Sequence, residues 1–297
     1  MSYDPNSATQ VHEASSSTLA FGFVQKLASE LSKGELALPS FPEIVIRVQR
    51  VLADEDVALD KVARVIGSEP ALTARLMRMA NSAALNASGK AVTELRQAIN
   101  RMGYEMVRSA SIAFAMAQIS QNESLAPIRS ELEDLWERSM LVAAFALVLA
   151  RKCTKLSPEE ALLSGMMHGI GKLYVLTRAM DQPALLKDTV MMHQIINEWH
   201  PQIGQSILEN WEFPEQIIQA VGEQAELDRP RVKAADLSDV LQISIAMAPL
   251  STDPAGAQLA IRDFAATKRL ALTEDATVTV LQEFATEVNE ICSALGS

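Results

Sequence analysis

The residue best placed to do chemistry is His168, in the run Leu163-Ser164-Gly165-Met166-Met167-His168-Gly169-Ile170-Gly171-Lys172-Leu173. A histidine that closes a helix before a glycine turn can point a ring nitrogen into a cavity, as base, acid or metal ligand. A lone histidine is more often a hydrogen-bonded structural residue, so its neighbours decide its role. Ser139 and Ser164 offer themselves as nucleophiles, but no strand-to-helix elbow or oxyanion signature accompanies them. The stretch Gly165 to Lys172 looks superficially like a phosphate loop. Its Gly171-Lys172 comes one residue too late, Leu173 replaces the required Ser or Thr, and no strand precedes it. Cys153 and Cys292 stand far apart without Cys-x-x-Cys spacing, which indicates neither a disulfide framework nor a zinc site and fits a reducing cytoplasm.

The elements that must position these residues read as helices. Hydrophobic residues make up 48% of the chain and aromatic ones only 5%, a balance that favours helices packed by aliphatic side chains. Apolar residues recur at helical spacing from Leu19 onward, punctuated by caps and prolines. Ser40-Phe41-Pro42-Glu43 and Ser157-Pro158-Glu159-Glu160 read as capping boxes, the latter opening the helix that ends at His168. Thr93 caps a helix expected to stop at Gly103, and Tyr104 to Ser120 and Ile128 to Lys152 read as two longer helices. Met140 to Ala150, the most apolar run, should lie at the centre. It is too short for the roughly 20 residues that span a bilayer. Further helices are expected over Leu173 to Met180, Pro183 to Trp199, Pro201 to Asn210, Pro214 to Gln224 and Asp236 to Ala248, with a loop from Pro249 to Gly256. A last helix from Thr273 carries Leu281, Phe284, Val288, Ile291 and Leu295 in a narrow stripe. That stripe reads first as a core-packing face and second as a homodimer seam. Residues 1–17 have no basic or apolar signal-peptide regions and read as a disordered tail.

Charge excludes one broad class. Lys and Arg total 26 against 37 Asp and Glu, a net charge of -11, which repels nucleic-acid phosphates. Arg75, Arg78, Arg101 and Arg108 are the obvious candidates for a local basic patch, and four arginines on two helices read as a solvated face.

The landmarks of the chain, taken in order, resemble the HDOD family of HD-related output domains. Leu38-Pro39-Ser40-Phe41-Pro42 is similar to its Leu-Pro-x-Leu-Pro opening. Ile66-Gly67-Ser68-Glu69-Pro70-Ala71-Leu72 with Ala80-Asn81-Ser82 is similar to its Asp-Pro-x-Leu and Ala-Asn-Ser segment, with Glu69 for the usual Asp. Gln97 to Gly103, Leu135-Trp136-Glu137-Arg138-Ser139, and His200-Pro201-Gln202-Ile203-Gly204 with Trp211-Glu212-Phe213-Pro214 match three further phrases. The resemblance covers about Leu38 to Gln224.

It implies an all-α, HD-domain-like helical bundle: an N-terminal helical lobe to about residue 120, an HD-like lobe from about 128, an HDOD-like domain over 18–225, and a C-terminal helical extension over 226–297 packed on the HD-like lobe. It also implies that Arg138, His168, Gly169, Lys172 and His200 line one cleft. A catalytic HD site needs several His and Asp ligands converging on a cation. Here Gly169 replaces the Asp after His168, Arg138 stands where a histidine is expected, Glu223-Gln224 stand near the paired histidines, and Ser244-Ile245 near the final Asp. The expectation is therefore no metal, no cofactor and no catalytic residues. The cleft is expected to suit a small anion, and the chain to be a signalling or scaffold module acting through a ligand or a protein partner, without nucleic acid or membrane. The alternative is a divalent-metal phosphohydrolase acting on a nucleotide or cyclic nucleotide.

Overall fold

The computed structural model describes residues 5–34, 36, 38, 41–54, 56–82, 89–229, 234–250, 253–273 and 275–284. Among them regular structure is entirely helical, with no strand. In chain order the helices are α1 (Pro5–Lys33), α2 (Glu43–Leu52), α3 (Leu59–Gly67), α4 (Pro70–Ala80) and α5 (Leu95–Ser120); a 3-10 turn, Glu123–Ile128, then leads into α6 (Arg129–Cys153). There follow α7 (Pro158–Met167), α8 (Ile170–Ala179), α9 (Pro183–Leu186), α10 (Thr189–Asn210), α11 (Glu215–Gly222), α12 (Leu237–Met247), α13 (Pro254–Ile261) and α14 (Ala265–Arg269). Residues 275–284 form α15.

The centre is α6. Every residue from Met140 to Ala150 except Leu141 is buried, because a helix apolar on all sides is stable only when covered on all sides. α7 lies along it, and α5, α11 and α12 in turn pack on α7. The C-terminal stripe closes onto the same core: Leu281 and Phe284 are buried, and the Phe284 ring meets Phe145 at 4.9 Å between centroids. Val288, Ile291 and Leu295 lie outside the described residues.

α2 to α5 pack on one another; α5 meets α6 and α7, and Arg50 of α2 lies 3.8 Å from Glu212. α1 is tied instead to α8 and α10. The Tyr174 hydroxyl donates to Glu30 Oε2 at 2.6 Å, and Asn210 Nδ2 donates to the Gly34 carbonyl at 3.2 Å.

Local signals acted as sequence chemistry dictates in some places and not in others. Ser157 caps α7, accepting from Glu160 N at 3.2 Å, and Asp236 caps α12 in a reciprocal capping box with Asp239. Ser40 lies outside the described residues, and the N-cap of α2 is Pro42. α5 begins after Glu94, not Thr93. At Gly103, whose φ of 75° and ψ of 161° are non-helical, two helices meet across a kink, where the glycine stop was expected.

Several expectations are overturned. Residues 5–17, read as disordered tail, belong to α1, because once the docked part of a helix exists each added residue gains a bond; residues 1–4 lie outside the described residues. Pro201 does not start a helix but sits inside α10. Its missing hydrogen bond costs about 3 kcal/mol, and the buried Met192, Ile195, Ile203, Ile207 and Leu208 on both sides of it outweigh that loss. Of the loop expected over 249–256, residues 249–250 close a 3-10 turn, 251–252 lie outside the described residues, and α13 begins at Pro254, where Asp253 accepts from Gly256 N at 3.0 Å and Pro254 fills the first turn. The arginines read as a solvated face are largely internal: Arg75 and Arg108 are buried, and Arg101 donates to the Ala80 and Lys90 carbonyls.

Candidate functional site

The turn between α7 and α8 is forced by close approach. A Cβ at Gly171 would lie 2.0 Å from the His200 carbonyl oxygen, so only glycine lets α8 run against α10 here. Two residues earlier, at the N-cap of α8, Gly169 faces α6. A Cβ there would fall 2.7 Å from Leu135 Cδ1 and 3.2 Å from Ser139 Oγ, so an aspartate at this position would have to displace the leucine. Position 169 therefore offers no ligand atom, and a side chain there would need Leu135 to move.

His168 sits at the C-terminal cap of α7 with only 1% of its surface exposed. Its Nδ1 lies 2.7 Å from the Gly165 carbonyl oxygen and donates to it, which assigns the lone pair to Nε2. Nε2 is buried without a hydrogen-bond partner. The imidazole is pushed down to about 3, first by burial and then by Lys172, against the Gly165 hydrogen bond, with Arg138 adding to the shift. His200, on α10 and 7% exposed, is likewise pushed down to about 3, by burial, then Lys172, then His168. Its Nδ1 is also buried without a partner. Both rings are neutral at pH 7.

Lys172, on the first turn of α8, is partly buried. Its ammonium is pushed down to about 8 by burial and then by Arg138. Arg138 lies exposed on α6 at the rim. Lys172 thus bears on both His168 and His200, and Arg138 on His168 and Lys172, with Gly169 at the turn between His168 and Lys172. Among the described residues no carboxylate forms an ion pair with Lys172 or Arg138.

The donor set does not fit a catalytic metal. Among the described residues no group of three or more His, Cys, Asp or Glu side chains is placed to hold an ion. Ser244, near the position of the family's final Asp, turns its hydroxyl back onto the Val240 carbonyl at 2.7 Å. Ser139 and Ser164 are buried, and the Ser164 hydroxyl donates to Ala161 O at 2.8 Å, so it is no nucleophile aimed at a cleft.

One contributor escaped the sequence reading. Gln224 is buried, and its Nε2 donates to the His168 carbonyl at 3.1 Å and to the Val221 carbonyl at 2.8 Å. It stands near the place of the paired histidines and holds the backbone of the remaining one. Its position in the family pattern pointed there, but its contact spans 56 residues and has no signature in local spacing.

A family model, the HDOD domain, matches residues 38–227. A curated relative, an uncharacterized protein of Treponema pallidum (strain Nichols), is 23% identical over 215 residues, 66% of this chain, and this chain spans 39% of that relative's length. A structure from Shewanella amazonensis SB2B, provisionally named a metal-dependent phosphohydrolase, superposes with a TM-score of 0.64 at 23% identity, covering 91% of this chain and 99% of its own. One from Marinobacter aquaeolei VT8, provisionally named a signal transduction protein, does so with a TM-score of 0.62 at 18% identity, covering 93% and 66%. At these identities the likeness establishes the fold. No helix among the described residues is long and apolar enough to cross a membrane.

Proposed function

This chain belongs to the HDOD domain family, and from that premise we propose that it is a non-catalytic signal-transduction or scaffold module whose Arg138, His168, Gly169, Lys172 and His200 form a cleft for a small anion. One observation supports the reading: Lys172 bears on both neutral imidazoles and Arg138 on His168 and Lys172, while no carboxylate forms an ion pair with either cation among the described residues. A divalent ion placed there would meet repulsion of about 4 kcal/mol per unit charge at 4 Å and an effective dielectric of about 20. An oxyanion meets attraction of the same size. On this reading 18–225 make the HDOD-like unit, 226–297 are an extension packed on its HD-like lobe, and signals pass to a protein partner in the cytoplasm.

The competing reading is a metal-dependent phosphohydrolase, as the Shewanella neighbour is named. It has one point in its favour, since unpartnered imidazole nitrogens are the atoms that ligate transition metals. Two imidazoles leave too few ligands, and Gly169 and Arg138 oppose a third and a fourth.

The decisive experiment combines elemental analysis of the purified full chain with thermal melts in inorganic phosphate. We expect less than stoichiometric Zn, Fe, Mn, Ni and Mg, a phosphodiesterase background that His168→Ala leaves unchanged, and a melting temperature that rises with phosphate in the wild type but not in Lys172→Met. One or two tightly held transition metals per chain, with hydrolysis abolished by His168→Ala, would reverse the choice in favour of the enzyme.

A further inference from the structure

A second buried polar cluster lies where the chain turns from α11 into α12. Asp239 has no exposed surface. It accepts from Arg269 on α14, with Nε 2.8 Å from Oδ2, and from Arg229, with Nη1 3.3 Å from Oδ1. Arg229 also holds Asp236 through two hydrogen bonds of 2.9 and 2.7 Å and meets Glu223 Oε2 at 2.7 Å. The Ser238 hydroxyl donates to the same Glu223 oxygen at 2.9 Å, and Gln242 Nε2 donates to the Glu223 and Glu226 carbonyls, each at 2.9 Å. The residue after Glu223 is Gln224, which holds the His168 carbonyl.

These contacts form one continuous path from Arg269 through Asp239, Arg229, Glu223 and Gln224 to His168. Arg269 lies beyond residue 227, where the HDOD match ends, so the path joins the C-terminal extension to the α7–α8 turn. Asp239 cannot lose Arg269 cheaply, because a wholly buried carboxylate would be left half compensated. If α14 leaves, Asp239 and Arg229 must therefore re-pair and Glu223 with them, and with it the carboxamide of Gln224 that holds His168.

We infer that this path is a latch by which the C-terminal extension sets the position of the α7–α8 turn, with Gln224 as the positioning residue for His168. Coupling of this kind is reciprocal: whatever shifts His168 loosens or tightens α14, and whatever docks on α14 is felt at His168. The latch rests on contacts alone and stands whether or not the cleft binds an anion.

Hydrogen exchange read by mass spectrometry on the full chain, without ligand, tests it. In Arg269→Gln we expect amides of 165–172 to exchange about fivefold faster or more, the equivalent of one hydrogen bond, together with those of 234–242, while α2 to α4 stay at the wild-type rate. Acceleration confined to 227–272 overturns the latch. If Arg269→Gln does not fold, Arg269→Lys keeps the charge, loses part of the two-point grip and should give the same pattern at lower amplitude. Gln224→Leu cuts only the last link, so 165–172 should loosen while 234–242 hold. Adding Arg269→Gln to Gln224→Leu should then leave 165–172 no faster. Additive acceleration in the double variant would show two independent effects and sink the proposal.

Discussion

Two of the buried polar clusters among the described residues, those around Asp239 and His168, follow opposite rules. Around Asp239 each charge meets its opposite: two guanidiniums hold one sealed carboxylate, and Arg229 reaches Asp236 and Glu223 as well. Around His168 two imidazole nitrogens are buried without partners, and two cations lack a carboxylate among the described residues. Buried polar groups in folded proteins are nearly always satisfied, and the exceptions require a reason. A satisfied network holds structure together. On the proposed reading, one of single sign is open to a partner that the chain itself does not supply.

The largest effect should come from breaking the satisfied cluster. Asp239→Ala leaves Arg229 and Arg269 buried beside each other, and losing one partner of a buried ion network typically costs about 3–5 kcal/mol. Urea unfolding of variant and wild type measures it. A loss below about 1 kcal/mol would mean that solvent already screens Asp239, and the contrast between the clusters would collapse.

Acid separates the clusters next. His168 and His200 titrate at about 3 in the folded chain against about 6.5 unfolded. Between those values the unfolded chain binds protons that the native one refuses, so stability is full above pH 6.5 and falls as the pH drops toward 3. Each histidine contributes a slope of up to about 1.4 kcal/mol per pH unit. Asp236 behaves differently. Burial alone would raise its carboxyl, but the hydrogen bonds from Arg229 and the Asp239 backbone, with the charges of Arg229 and Arg269, hold it below the ordinary carboxylate range. Its contribution is present above the unfolded value and is lost only as the pH falls through that lower one. The His168 cleft should therefore give way first. Asn at 168 can still reach the Gly165 carbonyl but does not titrate, so His168→Asn should lose about one proton from the slope of stability between pH 6.5 and 4.5. Equal slopes in the two proteins would show that His168 is open to water.

How much of this was legible in the sequence differs between the same two clusters. His168, Gly169, Lys172, Arg138 and His200 could be proposed as one site because each lies within a phrase that the family repeats in fixed order. The helices that carry them announce themselves through Ser157, the glycines and the apolar run on α6. The Asp239 cluster carries no such phrase. Arg229 and Arg269 meet across 40 residues and three helices, and any of the acidic residues could have answered them. Pro201 and α13 were misread for the opposite reason. Local signals were present, but tertiary burial overrode the proline in α10, and a cap-and-proline start at Asp253-Pro254 was taken for a loop because Ser, Thr, Asp and Gly surround it.

The smallest predicted effect bears most directly on what the cleft is for. Lys172 is held at about 8 by burial and by Arg138, below its unfolded value of about 10.4. At pH 7 both states carry the proton, and the folded state pays for holding the charge in a half-buried site. Between about pH 8 and 10.4 the folded chain has released a proton that the unfolded one keeps, so this opposition to folding fades as the pH rises. Lys172→Met keeps the length of the side chain and removes the charge. It should stabilise the protein at pH 7 by about 1 kcal/mol, a value already discounted for partial solvent screening, and the gain should shrink toward pH 10. The same substitution should remove the rise in melting temperature caused by phosphate. Destabilisation at pH 7 would mean that Lys172 is paired in solution. The His168 cleft would then be a satisfied network like that around Asp239, with no charge left over to receive an anion.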